Sequence, residues 1–268
     1  TTESSWDETY GYDNANRLTE YKRGWFDGTG ISNPASQSVW TLDDLYNWDD
    51  YTKDGVTQDR DHNLANEITQ IDSTAVVHDD RGNLTDDGQK LYEWNIANQL
   101  VAARDKATND LLGQYVFDAF GRRIWKKVVS TGEEVDYFLT GNQVIEERHH
   151  TASTAKTYNF VWGMYIDELI CRFEKTGTSF TDLYPVQNRQ YSTYRVFNGS
   201  GALMEKYRYS PYGQVEVYDP DGTPRTSSAI GMTTLFTGRE LDQESGLMYF
   251  RARMWSPRLG RFMQRDPI

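Results

Sequence analysis

The chain is poor in the residues that define several classes of protein. Its 268 residues include one cysteine, Cys171, seven prolines and four histidines, and no stretch approaches 18 consecutive apolar residues. These counts exclude a disulfide within the chain, a collagen-like or proline-rich chain and an apolar transmembrane helix. Basic residues are outnumbered 28 to 40, and the formal net charge of −12 at pH 7 argues against nucleic acid as a partner.

Aromatic residues are abundant by contrast. Eight Trp, 18 Tyr and 11 Phe make up 14% of a chain in which hydrophobic residues amount to 37%. Disordered chains are poor in aromatic residues, so this chain is expected to fold. Because the mean hydropathy is only −0.76, the aromatic residues stand in a polar background, and their positions decide the fold class.

An aromatic repeat recurs along the chain. In each copy, two aromatic or apolar residues with one residue between them precede Asp or Asn. Gly or Asn follows three positions after that Asp or Asn, and Leu or Ile often comes soon after. Eight copies, some degenerate, cover residues 10–18, 40–47, 60–68, 76–84, 92–100, 115–122, 195–203 and 207–215. The strand positions of the clearest copies hold Tyr10, Tyr12, Tyr92, Trp94, Tyr115, Phe117, Tyr207 and Tyr209. The turn positions hold Asp13, Asp43, Asp79, Asp118, Gly82, Gly121 and Gly213.

Each copy predicts a β-hairpin. The Asp or Asn side chain can accept hydrogen bonds from backbone amides two or more residues on, and the later Gly or Asn can adopt a left-handed conformation. Together these features are typical of a type I turn with a G1 bulge. A single hairpin is marginally stable, so the copies are expected to stack. The predicted fold class is all-β, with stacked hairpins in one curled or spiralling sheet.

Three other features of the sequence lead to simpler expectations. Residues 175–190 lack the repeat and are expected to form an insertion. Cys171 lies in an apolar-rich stretch and is expected to be a small buried hydrophobic residue. The histidines and the acidic pairs lack the ligand spacing of zinc or calcium sites, so no metal and no other cofactor is predicted.

The carboxy-terminal third carries the most specific pattern, within residues 236–267. Its core motif comprises Gly238, Arg239, Tyr249, Arg251, Arg253, Pro257, Gly260, Arg261 and Phe262. Together with the repeats, this motif resembles the YD-repeat, or RHS-repeat, proteins that end in an RHS repeat-associated core, among them bacterial polymorphic toxins and toxin-complex C proteins. On this resemblance, residues 1–190 are expected to form the repeat array and residues 191–268 the core.

The resemblance implies a function as well as a fold. In that family the repeats spiral into a hollow β-shell, which encloses a carboxy-terminal toxic domain or, in teneurins, serves extracellular adhesion. The chain is therefore expected to be a non-catalytic structural segment of a secreted or cell-surface bacterial protein. The implied partners are its own carboxy-terminal cargo domain or neighbouring copies of the same protein. An adhesion, matrix or filament-forming module that binds glycans or surface proteins is the alternative, and neither nucleic acid nor membrane insertion is expected.

An autoprotease half-site is a second alternative. Autoprocessing members of the family release their cargo through an aspartyl site, and Arg265 and Asp266 match the place of its first half. Such a site needs two carboxylates that share a proton. The second carboxylate is expected after Ile268, and the start at Thr1 likewise suggests a fragment. The chain by itself is therefore expected not to be an enzyme, while self-cleavage by a longer parent stays open.

Overall fold

A computed structural model describes residues 7–267, and β-strands dominate it. The described residues form 26 strands and one 3₁₀ turn, Phe236–Gly238, and every strand pairing for which a register is given is antiparallel. The predicted all-β fold class is confirmed. Within residues 7–267 no helix is long and apolar enough to cross a membrane.

The chain divides into two compact units. Among the described residues, unit 1 comprises residues 7–79 and 86–88, and unit 2 comprises residues 80–85 and 89–267. The expected functional boundary between a repeat array and a core at residue 190 stays a prediction.

The first sheet has seven strands that follow one another in chain order. They are β1 Asp7–Tyr12, β2 Leu18–Gly24, β3 Ser36–Leu42, β4 Trp48–Lys53, β5 Val56–His62, β6 Ile68–Ile71 and β7 Thr74–Ala75. Aromatic side chains pack against one another on this sheet. Trp40 and Trp48 are buried, and their ring centroids lie 5.7 Å apart.

The second sheet has 15 strands, again in chain order. They are β8 Val77–His78, β9 Leu84–Asp86, β10 Lys90–Trp94, β11 Leu100–Asp105, β12 Leu111–Phe117, β13 Arg123–Val128, β14 Glu133–Thr140, β15 Gln143–His150, β16 Ala155–Trp162, β17 Leu169–Thr176, β18 Ser179–Gln187, β19 Thr193–Asn198, β20 Leu203–Tyr209, β21 Val215–Tyr218 and β22 Pro224–Arg225. Alternate side chains of its strands are buried, which is the expected period for a sheet with one covered face.

A small third sheet covers part of that face. Its four strands are β23 Glu240–Asp242, β24 Leu247–Tyr249, β25 Met254–Ser256 and β26 Arg261–Phe262. We call residues 228–266, which contain this sheet, the core segment. Its apolar side chains are among the most deeply buried in the chain, and they include Met232, Leu235, Leu247, Met248, Met254, Leu259 and Met263.

The hairpin turns have the geometry that the repeat predicts. At residues 118–122, the amide of Asp118 donates to the carbonyl of Arg122, at 2.9 Å, and Gly121 donates back to Asp118, at 3.0 Å. Asp118 Oδ1 accepts hydrogen bonds from the amides of Phe120 and Arg122, and Gly121 has φ +79°. The strand register shifts beside this turn, as it does at a β-bulge. Equivalent side-chain bonds start at Asp13, Asp43, Asn63, Asn95 and Asn198.

The insertion expected at residues 175–190 is wrong. This stretch completes the regular hairpin of β17 and β18 and then forms a further turn of the repeat type. Asn188 Oδ1 accepts hydrogen bonds from the amides of Gln190 and Ser192, both at 2.9 Å. Tyr191, with φ +63°, stands where the repeat has Gly or Asn, and this substitution hid the turn. The copy at residues 40–47 also has a tyrosine at this position, Tyr46 with φ +71°, and it could have revealed the turn.

Candidate functional site

The core segment contacts the long sheet of unit 2 through a buried ionic cluster. Arg123 and Lys126 project from β13, and Glu240, Asp242 and Glu244 come from the core segment. The Nη1 and Nη2 atoms of Arg123 lie 2.6 Å from Asp242 Oδ2 and from Glu240 Oε2. Lys126 Nζ lies 3.0 Å from Asp242 Oδ1 and 3.2 Å from Glu240 Oε1. These contacts join segments that are more than 110 residues apart in the chain.

Three tyrosines surround the Arg123 guanidinium. Its central carbon lies 4.2 Å from the ring centroid of Tyr249, 5.2 Å from that of Tyr137 and 5.5 Å from that of Tyr115. A guanidinium that is desolvated against aromatic faces gains cation–π stabilisation. The Tyr137 hydroxyl also donates to Glu240, at 2.6 Å. Burial raises the pKa of all three tyrosines, so each stays a neutral hydrogen-bond donor.

The charges within the cluster balance when one carboxyl keeps its proton. Burial lowers the pKa of Arg123, but Asp242 and Glu240 more than offset this and hold it well above its usual value. Burial raises the pKa of Glu240, yet Arg123 and Lys126 lower it to about 2. Burial raises the pKa of Glu244, and the nearby Asp242 raises it further. Two cations therefore face three acidic side chains, of which Glu244 has a raised pKa.

A second contact joins the core segment to the turn between β16 and β17. Asp167 Oδ1 lies 2.5 Å from Arg239 Nη1 and 2.5 Å from Arg251 Nη2. Arg251 also donates from Nε to the carbonyl oxygen of Asn142, at 3.2 Å. Gly238 has φ +68°, and a Cβ built there would lie 2.7 Å from the Cβ of Asp167. Close approach of the two backbones therefore requires glycine.

A third contact fixes the start of the core segment. Arg172 is buried over the Tyr158 ring, at 4.2 Å, and donates to the carbonyl oxygens of Ile230 and Gly231. Glu205 accepts hydrogen bonds from the hydroxyl of Ser228 and from the amides of the two residues that follow. A buried cation and a buried carboxylate thus satisfy the backbone of an irregular segment, as buried polar groups require.

The remaining residues of the core motif stabilise the small sheet and its edge. The guanidinium carbon of Arg253 lies 3.5 Å from the ring centroid of Phe262. Pro257 and Gly260 lie in the turn between β25 and β26, Gly260 with φ +69°, and Arg261 pairs with Ser256. The Trp255 indole donates to the Tyr212 carbonyl oxygen, at 2.9 Å.

The two residues proposed as an autoprotease half-site lie at the exposed end of the core segment. The Asp266 side chain is 71% exposed, and its Oδ2 lies 3.4 Å from Arg253 Nη1. Arg265 is exposed as well. The second carboxylate that this chemistry needs falls outside the described residues, and the half-site stays a prediction.

The repeat residues take different positions in the two units. Tyr92, Tyr115, Tyr207 and Tyr209 are buried in unit 2, whereas Tyr10 and Tyr12 in unit 1 are exposed by 43% and 59%. Trp94 and Phe117 are half-buried, and the Trp94 indole donates to the Leu84 carbonyl oxygen. The turn residues Gly82 and Gly213 have positive φ, like Gly121, and Asp79 is half-exposed. Cys171 is buried, as expected.

A histidine lies between two carboxylates, a setting that the sequence did not predict. His149 Nδ1 lies 3.0 Å from Glu133 Oε1, and its Nε2 lies 2.8 Å from Glu147 Oε2. Burial lowers the pKa of His149, but these two carboxylates raise it to about 9. The imidazole is therefore a cation at neutral pH. No group of three or more metal-ligating side chains occurs among residues 7–267.

Sequence reasoning found the arginines of the core motif but not the side chains that receive them. Arg123, Lys126 and Asp167 stand in ordinary strands or turns, and Glu240 and Asp242 fall in the core without belonging to its recognised positions. The available signal was a pair of cations, Arg123 and Lys126, in the strand that follows the turn at Asp118.

Comparison with solved structures confirms the shell fold. The chain superposes on the crystal structure of TcdB2-TccC3-Cdc42 with a TM-score of 0.73 and 17% identity, over 97% of this chain and 14% of that one. At this identity the likeness establishes the fold alone.

Curated relatives match a large part of the chain. It is 27% identical over 217 residues to the tRNA3(Ser)-specific nuclease WapA of Bacillus spizizenii, which is 80% of this chain and 9% of that protein. It is 25% identical over 232 residues to the probable deoxyribonuclease RhsA of Dickeya dadantii, which is 81% of this chain and 16% of that protein. The chain therefore spans only a small part of these relatives.

The family itself is shown by a match over almost the whole chain. The teneurin YD-shell model matches residues 1–267, which cover the hairpin repeats and the core segment alike. The resemblance to YD-repeat and RHS-repeat proteins is thereby confirmed, and the chain belongs to the teneurin YD-shell family.

Proposed function

We propose that the chain is a structural, non-catalytic part of a β-shell that encloses or presents a carboxy-terminal effector. The observation that carries this proposal is the buried ionic cluster, through which the core segment is held on the long sheet. A segment fixed in this way can define one end of an enclosing wall. We further propose secretion or display at the cell surface, as the YD-repeat resemblance implies.

Limited proteolysis of the full-length protein tests this proposal. If the shell encloses its effector, that domain resists protease for as long as the shell is folded, and it is digested once mild denaturant opens the shell. Asp242→Asn should bring this digestion to lower denaturant concentrations because it unbalances the ionic cluster. Glu146→Gln, which changes an ion pair with the exposed Arg148, is the matched control and should leave the protease pattern unchanged. An effector that is digested as readily in the folded protein as when free would contradict enclosure.

A second candidate function is association with neighbouring copies or with a surface protein. Three apolar side chains, Ile96, Phe120 and Met164, are almost fully exposed on hairpin turns of the long sheet. Alternate turns of an antiparallel meander lie at the same end of the strands, so these three side chains lie along one side of the sheet, which we call the turn edge. Exposed apolar groups in one place are typical of interaction surfaces.

Sedimentation velocity tests this second function. The wild-type protein should associate as its concentration rises, and a variant with serine at Ile96, Phe120 and Met164 should remain monomeric. Association that is unchanged in this variant would exclude the turn edge as the interface. Circular dichroism should show the same strand content in both proteins, because the replaced side chains are exposed.

Autoproteolysis is the remaining alternative, and we propose that this chain does not perform it alone. Asp266 faces Arg253 at an exposed end of the core segment. Incubation of the chain should release no fragment at any pH. Hydrolysis that Asp266→Asn abolishes would overturn this statement.

A further inference from the structure

We propose that a cavity beside the core segment binds a carboxylate that carries an apolar body. The cavity has a volume of about 250 Å³ and lies between strands β13 to β16 and the core segment. Arg239 and Arg251 line one side, and Leu139, Val144, Phe160 and Trp162 provide an apolar wall. A site with a few polar groups set in an apolar surround is the usual form of a small-ligand pocket.

The two arginines carry more positive charge than their partner neutralises. Both guanidinium groups lie 2.5 Å from the same oxygen of Asp167, so two cations share one carboxylate. Burial lowers the pKa of Arg239, and the adjacent Arg251 lowers it further. An additional anion beside the pair would relieve this repulsion, and Arg is the side chain best suited to hold a carboxylate.

The other charged groups around the cavity are matched by their own partners. Glu240 is neutralised by Arg123 and Lys126 within the ionic cluster. Glu147 faces the cationic ring of His149. Arg122, also in the lining, lies 2.6 Å from Asp118. The unbalanced charge is therefore that of Arg239 and Arg251, and it selects an anionic ligand.

Two further observations point to a ligand at this pair. Arg239 Nε is buried and has no hydrogen-bond partner among the described residues. Buried donors are normally satisfied, so this donor is available to an acceptor from a ligand. Arg251 has φ +63°, a left-handed conformation that is strained for a residue with a Cβ and that is often found at functional sites.

The apolar wall defines the rest of the ligand. The rings of Phe160 and Trp162 are stacked, with 6.1 Å between centroids, and a planar apolar group can lie against them. Two sources present this chemistry, namely a free aromatic carboxylate and the end of a polypeptide with an apolar last residue. Both require the same arginines and the same wall.

Isothermal titration of the intact protein with phenylacetate tests the site. Phenylacetate should bind, whereas phenylacetamide, which has the same shape without the charge, should show no heat of binding. Gly-Gly-Phe with a free carboxylate, compared with its amide, tests the polypeptide source. Binding of phenylacetate alone assigns the site to free carboxylates, and binding of both acids admits chain ends as well.

Three variants separate the site from a general effect of charge. Arg251→Gln should weaken phenylacetate binding roughly tenfold or more, because charge-assisted hydrogen bonds are lost. Arg148→Gln, which removes an exposed arginine outside the cavity, should leave the affinity unchanged. Val144→Phe should abolish binding by filling the cavity while both arginines remain, which covers the case in which Arg251→Gln does not fold. No binding of either acid, or equal binding of acid and amide, would overturn the proposal.

Discussion

Each unit contains a buried arginine that lies over tyrosine rings, but the carboxylate partners of the two arginines come from different places. In unit 1, Arg23 lies over the Tyr21 ring and pairs with Glu8 on the adjacent strand, at 3.0 Å. In unit 2, Arg123 also lies over tyrosine rings, yet Asp242, one of its carboxylate partners, lies 119 residues further along the chain. The difference shows that an arginine packed over tyrosine rings can obtain its carboxylate partner from the adjacent strand or from a distant segment. The second arrangement makes the core segment part of the fold.

The largest expected effect comes from the long-range partner. Asp242→Asn removes the charge opposite Arg123 and Lys126, which are both buried. Removing one partner of a buried pair costs about 3–5 kcal/mol. Glu240 still contacts both cations after this change, so we expect a loss near the lower end of this range. Urea unfolding followed by tryptophan fluorescence measures the loss.

The matched change in unit 1 sharpens the contrast. The Glu8 side chain is 20% exposed, so water can partly solvate Arg23 after Glu8→Gln. We expect a smaller loss of about 1.5–3 kcal/mol, the value of a hydrogen bond to a charged group. Equal losses in the free energy of unfolding of the two variants would contradict the distinction between local and long-range partners.

The carboxylates around His149 should make the stability of unit 2 depend on pH. The folded pKa of about 9 lies above the ordinary value of 6.5, so the contribution is fully present below pH 6.5 and is lost as the pH rises through 9. The wild type should exceed His149→Gln by about 2 kcal/mol at pH 6 and by almost nothing at pH 10. Urea unfolding at a series of pH values measures this difference. His150→Gln is the control, because that side chain is 42% exposed and its nearest carboxylate oxygens are 3.6 and 3.8 Å away. A difference that is constant with pH would contradict the assignment.

The turns should behave alike in both units, and they give the smallest effect. Gly121 in unit 2 and Asn16 in unit 1 have φ of +79° and +59°. Replacing either by Ala should cost about 1 kcal/mol, since a Cβ disfavours the left-handed conformation. Thermal unfolding measures both variants. Gly30→Ala, where a Cβ meets open space and φ lies outside that region, is the control and should be neutral. A large loss in one unit only would show that the repeats are not equivalent.

The repeat made the hairpins predictable because all of their determinants lie within nine residues. Asp118, Gly121 and the strand residues before them set the turn, the bulge and the register together. The turn at Asn188 escaped because Tyr191 takes a conformation that the repeat assigns to Gly or Asn. The same locality limits the repeat, since it identifies a strand but not which of its faces is covered. Tyr10 and Tyr92 occupy the same repeat position, and only Tyr92 is buried.

The site depended on information that no local pattern contains. The core motif identified Arg239 and Arg251 as important positions, but their shared partner, Asp167, lies in a turn more than 70 residues earlier. The position of Asp242 opposite Arg123 follows only from how the small sheet packs on the long one. Such contacts are set by tertiary packing, and the spacing of residue types in the sequence does not encode them.

A double-mutant cycle on Arg123 and Asp242 tests most directly whether long-range ion pairs hold the core segment on the sheet. The variants are Arg123→Met, Asp242→Leu and the two combined, and urea unfolding gives the free energy of each. Contacting buried charges predict a coupling energy of about 2–3 kcal/mol, with the double variant more stable than Asp242→Leu alone. Effects that add to within about 0.5 kcal/mol would contradict the account.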